Sequence, residues 1–109
     1  MYIFAIYMSM IDLQRITGFD WDAGNARKNR DKHGVSRKEA EQIFFNFPLL
    51  LAPDPAHSME EPRFHALGIT DRGRRLHITF TLRGEGRLIR VISARDMSRK
   101  ERRIYEQKN

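Results

Sequence analysis

The sequence predicts an α+β fold, with two N-terminal helices packed on a twisted antiparallel sheet of about four strands and a short C-terminal helix. Three observations predict it. In the first half, apolar residues recur at helical spacing behind side chains that cap helices. In the second half, apolar and polar residues alternate over three successive runs. The links between those runs, 71–73 (DRG) and 84–86 (GEG), are short enough for an antiparallel meander. No repeat or low-complexity tract interrupts the 109 residues, which suffice for one domain with a real core.

Residues 1–17 read as an extension ahead of a domain spanning 18–109. Both alternating faces of the extension are apolar, which fits an added strand, a docking segment, or translation from an early start codon. Residues 16–21 form a short first strand. Asp22 then caps a helix over 23–33, stopped by Gly34 at the position after its end. Ala26, Asn29 and His33 share one face of it. Ser36 and Glu39 make a capping box for the next helix, with Val35 stapled onto Ala40. Its apolar stripe is Ala40, Ile43, Phe44 and Phe47, and Pro48 ends it.

Residues 49–52 form a short apolar strand, and 53–62 a turn-rich loop able to carry function. Strands follow at 63–70, 74–83 and 87–94. In the middle one, Leu76, Ile78, Phe80 and Leu82 turn to the core, and Arg75, His77, Thr79, Thr81 and Arg83 form a wet, basic face. The last strand leaves its inner face open, because Ile89 and Val91 lie opposite Leu88, Arg90 and Ile92. Ser98 and Glu101 fit a capping box for a helix starting at Arg99.

Hydrophobic residues make up 40% of the chain, too many for a disordered composition. The net charge of +6 favours anionic partners, nucleic acid or an acidic protein. Its distribution says more: residues 1–60 carry −1 and residues 61–109 carry +7. Without cysteine, disulfides and thiolate metal sites are excluded. The apolar stretch 3–11 is too short to span a bilayer, and no basic residue precedes it as in a signal peptide. The expectation is a cytoplasmic protein without a membrane partner.

Five stretches, in order, resemble one family: FDWD at 19–22, KHGVS at 32–36 with EAEQIF at 39–44, HSMEEPRF at 57–64, LGITDRGRRLHITFT at 67–81, and IRVISARDMSRKERRIYE at 89–106. Over residues 18–107 the chain looks like the BrnT toxins of bacterial type II toxin–antitoxin modules. The resemblance implies a RelE-like fold and a metal-independent ribonuclease that blocks translation. It also implies a BrnA-like antitoxin with a ribbon-helix-helix DNA-binding domain, a heterotetrameric complex, and operator DNA reached only through that antitoxin. Two features depart from the family pattern: the long N-terminus, and Pro62 where an acidic residue is expected before Arg63.

Cleaving RNA without a metal needs a base for the 2′-hydroxyl proton, an acid for the 5′-oxygen, and cations for the added negative charge. The chain has no HExxH motif and no cysteine, so no metal and no cofactor are expected. The catalytic candidates are Arg63, Arg83, Arg95, His57, Glu61 and Tyr105. Arg75, His77, Arg90, Arg99 and Arg102 are the candidates for holding RNA, since guanidinium grips phosphate bidentately. Each has a plainer reading. Arg95 can pair with Glu101 or Asp96, Arg63 with Glu61, and Arg83 and Arg90 can simply solvate the sheet. Tyr105 can pack its ring in the core, and His57 can make a turn contact with Asp54 or Ser58. His33 can cap its helix, while His65 and His77 can pack across strands. The competing function is a non-catalytic basic module that docks nucleic acid or a protein. A repressor acting alone is weaker, because the chain shows no DNA-binding motif of its own.

Overall fold

The computed structural model describes residues 12–57 and 61–107, without the side chain of His57. The elements run β1 (Gly18–Phe19), α1 (Ala23–His33), α2 (Arg37–Gln42), β2 (Leu50–Pro53), β3 (Arg63–Ile69), β4 (Arg75–Arg83), β5 (Leu88–Asp96) and α3 (Arg99–Gln107). Single 3₁₀ turns lie at Leu13–Arg15, Ile43–Phe45 and Pro55–His57. The strands make one five-stranded sheet in the order β1-β5-β4-β3-β2. It is mixed, which corrects the antiparallel expectation: β1 runs parallel to β5, with Gly18 beside Leu88 and Phe19 beside Ile89. The short turns at 71–73 and 84–86 do make β3, β4 and β5 an antiparallel meander.

The caps act as their residue types dictate. The Asp22 side chain accepts from the Asn25 N–H, and Gly34 closes α1 in the left-handed region at φ 64°. Ser36 and Glu39 form a complete capping box. Asn29 is buried in α1, where its Oδ1 accepts from the Ala94 N–H at 3.2 Å and ties the helix to β5.

Val35, Ala40, Ile43, Leu51, Phe64, Ala66, Leu76, Ile78, Phe80, Ile89, Val91 and Ala94 fill the main core on one sheet face. Gly68 permits the close approach there, since a Cβ would lie 2.7 Å from the Ile43 Cβ. Leu13 and Ile16 pack against this same core. The helical stripe is shorter than expected. α2 ends at Gln42, the chain tightens into the 3₁₀ turn, and Phe47 stands 91% exposed. Pro48 lacks an N–H and constrains the residue before it, so the α-helical period cannot reach Phe47.

The β5 ambiguity is settled by a bulge. Thr79 pairs with Ser93 but Phe80 pairs with Val91, which leaves Ile92 as the extra residue. The bulge resets the alternation, so Ile89, Val91 and Ala94 all point into the core.

A smaller cluster lies on the other face, where Leu50, Leu67, Met97 and Tyr105 pack with Ile69 and Ile104. α3 therefore covers one end of the face expected to be wet throughout. Thr81 is 1% exposed and His77 only 6%.

Candidate functional site

Register places the candidate side chains in rows across this second face, because directly paired residues share a face. One row is Arg63, Thr81 and Arg90; the next is His65, Thr79 and Ser93; the third is Leu67, His77 and Arg95. α3 lies over the third row; in the first two Thr81 is buried, its hydroxyl donating to the Pro62 carbonyl at 2.6 Å, while Arg63, His65, Thr79, Arg90 and Ser93 stay partly exposed beside the polar loop.

His65 is the best-placed proton-transfer group. Its Nε2 lies 3.2 Å from Asp54 Oδ2, and its Nδ1 lies 3.2 Å from Thr79 Oγ1. A carboxylate accepts, so Nε2 donates to Asp54, and in the neutral ring Nδ1 is then an acceptor for the Thr79 hydroxyl. Asp54 is itself buried, at the end of β2 where its N–H donates to the Arg63 carbonyl at 2.9 Å.

His77 behaves differently, although its ring centre lies only 4.9 Å from that of His65. Burial and then the nearby Arg95 charge lower its pKa to about 4, with partial compensation from Glu101. It is neutral at neutral pH, so its 3.9 Å approach to Glu101 is not an ion pair. Covered by α3, His77 does not present itself to RNA as the sequence pattern suggests.

The arginines hold carboxylates of this chain. Arg95 grips Glu101 bidentately at 2.8 and 3.0 Å. Burial works against the Glu101 charge, but hydrogen bonds from Arg95 and the Ser98 N–H outweigh it and hold the pKa at about 2. Arg83 pairs with Glu61 at 3.0 Å. Arg90 reaches both Asp20 and Asp22, at 3.3 and 3.1 Å. Asp22 thereby caps α1 and anchors it to the sheet face; the Asn25 N–H first and Arg90 further down lower its pKa. Arg75 sits 3.6 Å from Glu106. Arg74 fastens the back of the molecule, binding Asp96 at 2.7 Å, Glu39, and the carbonyls of His33 and Gly34.

Arg63 and Arg90 thus lie one row from His65, and Arg83, paired with Glu61, lies one row beyond them. Arg95 lies one row from His65 on the other side, against α3. Tyr105 is fully buried and donates to the Pro48 carbonyl at 2.7 Å, a fastening of α3 to the sheet. Arg99 and Arg102 are exposed on α3. The His57 side chain lies outside the described residues, as do residues 58–60. The sequence does not single out Asp54, Thr79, Asp20 and Asp22 as site residues, and for His65 it favours cross-strand packing over a functional role. One signal for His65 was available: a hairpin centred on Arg72 sets His65 opposite Thr79. Among the described residues no group of three His, Asp or Glu is placed to hold a metal ion.

A sheet face carrying an imidazole held between a carboxylate and a hydroxyl, with guanidinium groups in the neighbouring rows, suits a small protein that handles phosphodiesters. The family model described as "Ribonuclease toxin, BrnT, of type II toxin-antitoxin system" matches residues 21–101, and the chain belongs to that family. The family's activity makes RNA the target and an antitoxin the partner. The 1.1 Å crystal structure of the Brucella abortus ribonuclease toxin BrnT shares the fold, with a TM-score of 0.59 and 22% identity over 76% of this chain and 99% of that one. No curated protein sequence matches significantly.

Proposed function

We propose that this toxin cleaves RNA without a metal ion, at the open end of the sheet face, with His65 as the base. The observation that carries this reading is the Asp54–His65–Thr79 chain of contacts at 3.2 Å each. The Thr79 hydroxyl rotates away, and His65 Nδ1 takes the proton of a ribose 2′-hydroxyl. The 2′-oxygen attacks the adjacent phosphorus, the bond to the 5′-oxygen breaks, and a cyclic phosphodiester remains. Arg63, Arg83, Arg90 and Arg95 stabilise the added charge, each contact contributing about 2–4 kcal/mol if it forms fully only in the transition state. The proton for the departing 5′-oxygen comes from His57 or Glu61, at the two ends of the same loop. Arg75, Arg99 and Arg102 extend the grip on the RNA. In this reading Tyr105 and His77 position α3 and do not touch the reacting atoms.

Within the same reading the chain has a RelE-like layout and acts in the cytoplasm by blocking translation. A BrnA-like ribbon-helix-helix antitoxin neutralises it in a heterotetramer and alone contacts operator DNA. Residues 1–17 are an extension ahead of the toxin domain.

The test incubates purified protein with bulk RNA in excess EDTA, beside folded His65→Ala and Arg95→Ala variants. Cutting by the parent, abolished in His65→Ala and reduced in Arg95→Ala, is the expected result. If the parent cuts neither naked RNA nor message on translating ribosomes, the basic face is a docking surface. The non-catalytic module then stands instead.

A further inference from the structure

On the opposite side of the molecule, α1 and α2 enclose a cleft of about 410 Å³ lined by Ala23, Ala26, Arg27, Arg30, Ser36, Arg37 and Lys38. Four cations and no carboxylate line it. All four side chains are exposed, and among the described residues none makes an ion pair. The contrast with the sheet face is sharp, since Arg75, Arg83, Arg90 and Arg95 each hold a carboxylate there. A cluster of like charges raises the energy of the folded chain, and among the described residues no carboxylate pairs with it. Arg27 and Arg30 sit three residues apart on one helical face, and Arg37 and Lys38 face them across the cleft. Arg37 is also held over the Trp21 ring, 5.5 Å from its centre, which fixes one guanidinium in place.

We infer that this cleft is a second nucleic-acid contact, one that binds the sugar–phosphate backbone of RNA away from the site of cleavage. Its apolar lining is two alanine side chains, too small to seat the aromatic or aliphatic anchor that a protein partner needs. Guanidinium groups in an open cleft suit phosphates, which demand charge and fork geometry but no hydrophobic pocket. The protein measures 33 × 32 × 26 Å, so one RNA strand of about 20 nucleotides reaches both sides. The inference rests on the ribonuclease reading only for the choice of RNA as ligand.

The test is a binding titration of the full chain with a 30-nucleotide RNA, a 5-nucleotide RNA and a 30-base-pair DNA duplex over a salt series. The protein is compared with an Arg27→Ala/Arg30→Ala/Lys38→Ala variant that keeps Arg37 over Trp21, and with an Arg27→Lys/Arg30→Lys control. The triple variant is expected to bind the long RNA at least about tenfold more weakly, with a log–log salt slope shallower by about 2. Its affinity for the short RNA, its cleavage of that RNA and its melting temperature stay unchanged, and the lysine control binds like the parent. Equal affinity and slope for parent and triple variant overturn the inference. So does a loss confined to the DNA duplex, which would make the cleft a DNA contact. If the parent binds no RNA of either length, the ribonuclease reading itself fails, an outcome distinct from the others.

Discussion

His65 and His77 share a sheet face and neighbouring strands, with ring centres 4.9 Å apart, yet the fold gives them different surroundings. His65 has a carboxylate behind one nitrogen and a movable hydroxyl before the other, at the open end of the face. His77 is sealed beneath α3, with its Nδ1 buried and without a hydrogen-bond partner. What separates them is one helix. Tyr105, Met97 and Ile104 draw α3 over Leu50, Leu67 and Ile69, and everything under that lid becomes structure. An imidazole is useful for proton transfer only where water and substrate reach it and a partner fixes its tautomer.

The first way to break this comparison is to remove each ring in turn. His65→Ala is expected to lower the cleavage rate about 10²–10⁴-fold, with an unchanged melting temperature. His77→Leu keeps cleavage within about threefold, since a buried neutral ring is traded for an apolar side chain of similar bulk. Single-turnover cleavage of a short RNA reads both, and an inactive His77→Leu beside an active His65→Ala would reverse the two roles.

Lifting the lid comes next. Tyr105→Ala removes a fully buried aromatic side chain and is expected to cost about 3–5 kcal/mol in urea unfolding. Tyr105→Phe strands only the Pro48 carbonyl and costs about 1 kcal/mol, with cleavage preserved. A Tyr105→Phe variant that stays folded but no longer cuts would put the phenol in the chemistry.

The acid limb of stability sharpens the contrast further. The His77 pKa falls from 6.5 to about 4 in the folded protein. The unfolded chain therefore takes up this proton first, and stability declines as pH drops from about 6.5 to about 4. The size of that loss is about 3 kcal/mol at most. Glu101, lowered from 4.5 to about 2, adds a second decline as pH falls through that range. Urea midpoints measured across pH should show both declines in the parent, and His77→Leu should erase only the upper one.

The smallest expected effect concerns the carboxylate behind His65. Asp54→Asn exchanges a charge-assisted hydrogen bond for a neutral one and is expected to slow cleavage about tenfold, leaving Arg95–Glu101 intact. A pH–rate profile unmoved by Asp54→Asn would show that Asp54 does not position the ring.

Much of this was legible in the chain because it depends on near neighbours. The caps at Asp22, Ser36 and Gly34, the alternation of Leu76 to Leu82, and the turns at 71–73 and 84–86 are interactions within a few residues. Local geometry decides them before any packing does. The hairpin centred on Arg72 fixes the register that pairs His65 with Thr79 in the same way. The basic bias put most of the candidate residues in the second half of the chain.

Contacts distant in sequence were decided only by the tertiary structure. Asp20 and Asp22 meet Arg90 because β1 inserts parallel to β5, a pairing some 70 residues apart that no local pattern encodes. The bulge at Ile92 chose the inner face of β5 by resetting a two-residue period. Asp54 reaches His65 because β2 pairs with β3 across the intervening loop. The lid of α3 turned one end of an expected wet face into core. Binary patterning ranks residues by polarity, but burial depends on what else folds onto them, and α3 carries its apolar residues to that face from the far end of the chain.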